Sequence, residues 1–226
     1  MTDHAINRPV RPASEDDRSR PSTGPLLMLA AAAGPLYVGV GAIEALTRRG
    51  FSLAHHDLSL LSNGGLGWVH STLLVVTGVL VVAGALGIGR AAPGSAWGPR
   101  LLAVYGAGLV GAGIFRADAM SGFPPGTAAG RPAHVSSHGN LHFVTGAIAF
   151  VALIAACVIF SRMFGRAGQQ GRARGSLFTG IVFTAAFVGI ATGSSAPAVV
   201  IAFEVAVVIS LAWLTWLAIV LRGDTR

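Results

Sequence analysis

The fold class this sequence predicts is all-α: a polytopic membrane bundle of six transmembrane helices. Three observations predict it. Apolar runs near the roughly 20 residues needed to cross hydrocarbon recur along the chain. Only 11% of its 226 residues are charged, against about a quarter in a water-soluble domain, and the mean hydropathy is +0.67. Glycine is abundant, at 31 residues, which suits helices that approach one another closely in lipid.

Each element follows from the pattern in order. Residues 1–24 are rich in Pro, Ser, Arg and Asp without periodicity and predict a disordered cytoplasmic tail. They are not a secretory signal, because the apolar segment starts too late and runs too long. The transmembrane domain spans 25–222, with helices predicted at 25–46, 66–90, 100–120, 137–163, 176–193 and 197–221. Pro197 after Ser194-Ser195 marks the start of the sixth. Glycine pairs such as Gly106-x-Gly108 sit inside an apolar helix, without the strand-turn-helix context of a phosphate loop, and predict close helix packing.

The 16 basic residues are all arginine and give a formal net charge of +7. They cluster in tails and connections, so they act as topology determinants and lipid contacts and imply no nucleic acid. Six helices put both termini on one side. Twelve arginines fall there, including Arg90, Arg100, Arg162, Arg166, Arg172, Arg174 and Arg222. Arg48, Arg49, Arg116 and Arg131 fall on the other. This predicts cytoplasmic termini and a multi-pass protein of the cell membrane. Trp213 and Trp216 are then expected in the inner aromatic belt and Trp68 in the outer. The single cysteine, Cys157, excludes an internal disulfide framework.

Placed on this topology, most ionisable groups fall at one depth. Glu44, His70, Asp118, His134, His138, His142 and Glu204 all lie in or near the outer side of the membrane, with His55, His56 and Asp57 in the first outer loop. A carboxylate within a membrane helix costs roughly 2.5–3.5 kcal/mol to insert, so Glu44 and Glu204 are expected to face the bundle. Structural pairing with Arg48 or Arg116 and a functional site are the two readings of those acids. His138-x-x-x-His142 offers two imidazoles from one helix face to a metal ion. His70, His134 or the His55-His56-Asp57 triplet would supply a third ligand. Zinc so held would generate a nucleophilic water, with Asp118, Glu204 or Glu44 for acid–base work. The bland alternative is surface histidines bonded to headgroups or helix ends, since the motif lacks the glutamate of H-E-x-x-H. Between helices three and four, Gly122-Phe123-Pro124-Pro125-Gly126 is a stiff turn, expected to lie over the bundle mouth with Phe123 dipping into the membrane interface.

LSLLSNGGLGW before helix two, GAGIFRADAMSGFPPGT after helix three and SSHGNLHF opening helix four together resemble a prokaryotic six-helix membrane family. It is catalogued as domain of unknown function 998, here in its actinobacterial style. The resemblance covers nearly all of 25–222 and is most specific at Phe115-x-x-Asp118 through Gly126 and at Ser137-His138-Gly139-x-x-His142. Many members have proline after that first phenylalanine, where this chain has Arg116. The resemblance implies fold and location and leaves activity open. Two function classes follow from the residues. The first is a membrane-embedded, metal-dependent enzyme acting on a lipid-like or isoprenoid substrate at the outer leaflet, its metal held by His138, His142, His70 and His134. The second is a small proton- or cation-coupled transporter, or a non-enzymatic partner-binding subunit. An enzyme predicts that histidines and acids converge in an open pocket; a transporter predicts a polar path continuing below Glu204, where the sequence offers little beyond Thr77, Thr179 and Thr184, a scarcity that favours the first class.

Overall fold

The computed structural model describes residues 22–193 and 195–225. Arg8, Arg11, Arg18 and Arg20 of the predicted tail, together with Ser194 and Arg226, lie outside the described residues. Six α-helices follow in order: α1 Thr23–Thr47, α2 Gly67–Ala91, α3 Trp97–Ile114, α4 Ser137–Arg166, α5 Gln170–Ala191 and α6 Pro197–Asp224. A 3-10 turn, Leu58–Ser62, precedes α2. Among the described residues five of these helices are long and apolar enough to cross a membrane, all but α3. The chain is therefore a multi-pass helical membrane protein in its architecture.

Two boundaries depart from the sequence expectation. The third helix stops at Ile114 rather than 120, because Phe115 adopts an extended conformation (φ −93°, ψ 110°). Arg116 and Asp118 thus belong to an extended segment. The fifth helix begins at Gln170, six residues earlier than expected. Gly168 (φ +73°) allows a tight α4–α5 corner: Gly168 N–H donates to the Gly165 carbonyl at 3.1 Å and Gln169 N–H to the Phe164 carbonyl at 2.9 Å. This is the left-handed glycine termination that satisfies the last free carbonyls of a helix.

Each helix packs on its neighbour in sequence, and α6 returns to pack on α1, so the bundle is a closed ring. Absent side chains let the axes approach. A β-carbon at Gly78 would lie 2.8 Å from Val110 Cγ2 and 2.9 Å from Val110 N, and one at Gly106 would lie 2.7 Å from the Gly78 carbonyl, which ties α2 to α3. Gly34 of α1 meets the Leu211 carbonyl of α6 in the same way, at 2.8 Å. On the other side Phe150 of α4 makes edge contacts with Phe183 and Phe187 of α5 and Phe203 of α6, at 5.1, 5.4 and 5.6 Å between ring centres, each adding about 0.5–1.5 kcal/mol to the burial itself. Trp213 lies in this core rather than in an interfacial belt. It is 5% exposed, and its Nε1–H donates to Ser176 Oγ at 3.0 Å.

Residues 48–66 and 115–136 close one end of the ring as a cap. The cap has its own small core of Ala45, Leu60, Leu61, Ala117 and Phe123. Phe123 is fully buried there, with Phe51 edge-on at 5.2 Å and the Arg48 guanidinium 5.5 Å above its ring. The expectation that Phe123 dips into the membrane interface is therefore corrected: it turns into the protein. His56 joins the two segments. Ser52 N–H donates to its Nδ1 at 2.9 Å, so Nε2 carries the proton and donates to the Ser121 carbonyl at 2.9 Å. Asn63 Nδ2 adds bonds to the Leu60 and Ala117 carbonyls at 3.2 and 3.1 Å.

Candidate functional site

The helix register carries the ionisable groups to the cap end. Glu44 is in the last turn of α1, His70 and His142 are in the first two turns of α2 and α4, and Glu204 is two turns into α6. The common depth expected from sequence is thus present in the fold. What differs is the grouping.

Glu44 and His70 meet. His70 Nδ1 and Glu44 Oε2 are 2.9 Å apart; His70 has no exposed surface and Glu44 is 6% exposed. The carboxylate accepts from Nδ1–H, which fixes the tautomer and leaves Nε2 as a free acceptor. That atom is buried and has no hydrogen-bond partner. The Arg48 guanidinium is 3.8 Å from the other Glu44 oxygen, the pairing anticipated for this acid. Arg48 is itself held by the Leu61 carbonyl at 3.1 Å and by the Asn63 carbonyl. Tyr37, two turns deeper on α1, meets the His70 ring edge-on at 5.9 Å and is within electrostatic reach of Glu44, Glu204 and Tyr105. Glu204 Oε1 accepts the Leu58 N–H at 3.0 Å, so this acid joins α6 to the 3-10 turn in the cap. Asp57 is within electrostatic reach of it. Burial pushes the Asp57 carboxyl above its ordinary value, against a smaller opposing pull from His56, and its Oδ1 is buried without a partner.

Beneath the Glu44–His70 pair lies a layer of hydroxyls. Tyr37 and Thr77 are each seven residues along their helices from Glu44 and His70, about 10 Å deeper at 1.5 Å per residue. Thr77 is fully buried and its Oγ1 has no partner. Tyr105 of α3 is 3% exposed. Thr179 and Thr184 instead donate to carbonyls of their own helix, at 3.0 and 2.7 Å.

The remaining predicted residues serve other ends. His142 turns inward and its Nδ1–H points at the Phe115 and Ala112 carbonyls, at 2.8 and 3.0 Å. It thereby closes the C-terminus of α3, whose last carbonyls have no partner within the helix. His138, one turn earlier, is exposed and sits edge-on to Phe115 at 5.8 Å. His134 is exposed in the loop. Asp118 is a clamp. Its oxygens accept Ser136 N–H at 2.8 Å and Ser136 Oγ–H at 2.6 Å, while Ser136 Oγ caps α4 by accepting Gly139 N–H at 2.9 Å. Gly139 leaves the space that the Asp118 carboxylate fills.

The expected metal site is accordingly not assembled. His70 belongs to Glu44, His142 to the α3 carbonyls, and His138 and His134 face outward. Among the described residues no group of three or more His, Cys, Asp or Glu side chains is placed to hold a metal ion. Sequence reasoning missed Ser136 and Gly139 as the α4 cap, though a serine opening an apolar run is the usual signal. It also missed Tyr37, Tyr105 and the structural part of His56, for which apolar surroundings give no signal.

The fold and this interior define a polytopic helical membrane protein with a buried carboxylate–imidazole pair. The chain belongs to the family described as "Protein of unknown function (DUF998)", which matches residues 31–220. No curated protein and no solved structure matches it.

Proposed function

We propose that the protein is a small proton-coupled transporter of the cell membrane, with cytoplasmic termini, in which the Glu44–His70 pair takes up and releases the transported proton. The observation that carries this reading is the 2.9 Å Glu44–His70 contact with His70 Nε2 buried and unpartnered. Ionisable groups inside a membrane bundle are costly and mark proton or substrate pathways. Here the acid orients the imidazole, and the imidazole presents an open acceptor to the interior. Tyr37, Thr77 and Tyr105 place buried hydroxyls below the pair, at the level where a transporter needs polar groups. Glu204 supports the same reading, because its carboxylate holds the Leu58 N–H of the cap. A proton arriving on Glu204 weakens that bond and loosens the cap over the pair.

The test is proton influx into lipid vesicles that hold the protein and a pH dye, with Glu44→Gln and His70→Gln beside the native chain. Influx driven by a pH gradient, absent from protein-free vesicles and slowed in both variants, is the expected result. Native influx no faster than in protein-free vesicles, or undiminished in either variant, overturns the reading.

A further inference from the structure

A second polar feature lies outside the bundle interior and owes nothing to the proton reading. An open depression of about 380 Å3 sits where the cap meets the ends of α3 and α4, lined by Asn63, Ile114, Arg116, Asp118 and His138 among others. Its groups are of both signs, and each has bonding capacity to spare. Arg116 is exposed and makes no ion pair among the described residues. His138 is exposed, and only its ring edge is engaged, by Phe115. Both amide hydrogens of Asn63 are taken by the Leu60 and Ala117 carbonyls, so its Oδ1 is left as an acceptor. Each Asp118 oxygen accepts one bond from Ser136 and retains a second lone pair.

We propose that this depression binds the phosphoethanolamine headgroup of a membrane phospholipid. The phosphate takes the Arg116 guanidinium and a His138 N–H, and the ammonium takes Asp118 and Asn63 Oδ1. A purely anionic ligand leaves the two acceptors facing negative charge; a purely cationic one leaves Arg116 unanswered. A zwitterion whose charges are two carbons apart satisfies both. The acyl chains have a surface to follow. Ile114 at the rim is 57% exposed, and Leu141 and Ile148, on the His138 side of α4, are 42% and 53% exposed. This is the amphipathic environment of a lipid at a membrane boundary.

The experiment is native mass spectrometry of the detergent-purified protein with added phosphatidylethanolamine, phosphatidylglycerol or phosphatidylcholine of matched chains. Wild type, Arg116→Gln and His138→Gln are compared, with free O-phosphoethanolamine as competitor. Phosphatidylethanolamine is expected to bind at least about tenfold more tightly than the other two lipids, and each variant to lose about tenfold or more, the scale of a charge-assisted hydrogen bond. Both replaced side chains are exposed; an unchanged melting temperature shows that the variants remain folded. Equal binding of phosphatidylglycerol overturns the zwitterion match. Equal binding by Arg116→Gln overturns the site. Displacement by O-phosphoethanolamine at the lipid's own affinity overturns the lipid as the occupant and leaves a soluble phosphomonoester in its place.

Discussion

Replacing Gly139 by alanine sets two effects of opposite sign against each other. Helix propensity favours alanine by about 1 kcal/mol at an interior position. Gly139 lies in the first turn of α4, and a β-carbon there would run into the Asp118 carboxylate, with Cγ only 2.7 Å away. That carboxylate cannot move aside and keep both its bonds to Ser136, at 2.8 and 2.6 Å. Hydrogen bonds to a charged group contribute about 1.5–3 kcal/mol each; Ser136 is exposed, so the lower figure applies and the pair contributes about 3 kcal/mol. The difference is a net loss of about 2 kcal/mol, or about 4–8 °C in melting temperature for a chain of this size. Gly146, on the same helix, has nothing within 4 Å of its β-carbon position and is the matched control. Thermal unfolding in detergent, followed by tryptophan fluorescence, measures both. Gly139→Ala is expected to melt several degrees below wild type and Gly146→Ala at or slightly above it. If the two alanine variants melt together, the Asp118 clamp does not hold the start of α4 and the reasoning fails.

Two further outcomes follow from the packing and the charges. Gly78→Leu places a side chain where Val110 and the backbone of α3 already are; it is expected to cost at least about 2 kcal/mol through overpacking, visible as a lowered melting temperature, whereas Gly39→Leu, in open space on α1, is expected to change it little. Burial raises the Asp57 carboxyl above its ordinary value, so the folded protein keeps this proton to higher pH than the unfolded chain does. The fold therefore gains stability as pH falls through the folded-state value toward the unfolded one near ~3.9 and loses it when the group ionises. Asp57→Asn is expected to raise the melting temperature at pH 7.5 and to flatten the acid side of its pH profile; an unchanged profile removes Asp57 as the cause.

Element positions were legible because a span needs a minimum apolar length whatever it packs against. Depth was legible for the same reason: a fixed rise per residue converts a position in a span into a level, and Glu44, His70, His142 and Glu204 share one. Rotation about the helix axis was not. In a soluble protein the apolar stripe tells which face is inward, but lipid and core are both apolar, so nothing in α4 distinguishes His138, which faces out, from His142, one turn on, which faces in. The H-x-x-x-H spacing therefore suggested a shared ligand where the structure has two separate roles. The end of α3 was misjudged because Phe115-Arg116-Ala117 contains no glycine or proline to stop a helix; the stop comes from His142, which accepts the job of bonding the last carbonyls from a different helix. Pairings across the chain, such as Glu204 with Leu58 N–H and His56 with Ser121, leave no local pattern at all.

The partners in the Glu44–His70 contact come from α1 and α2, the first two helices of the bundle. A chain synthesised from its N-terminus completes this hairpin before α3 to α6 exist. The carboxylate and the imidazole, each unfavourable alone in hydrocarbon, can therefore enter the bilayer already joined, with Arg48 at the hairpin's mouth. Among the described residues Glu204 has no such companion on α5 or α6. Its bond is to Leu58, a residue made almost 150 positions earlier, so the last helix inserts with an unanswered acid that finds its donor only on reaching the finished hairpin. The Glu204–Leu58 bond thus exists only where α6 lies level with the 3-10 turn, so it fixes the depth at which the ring closes.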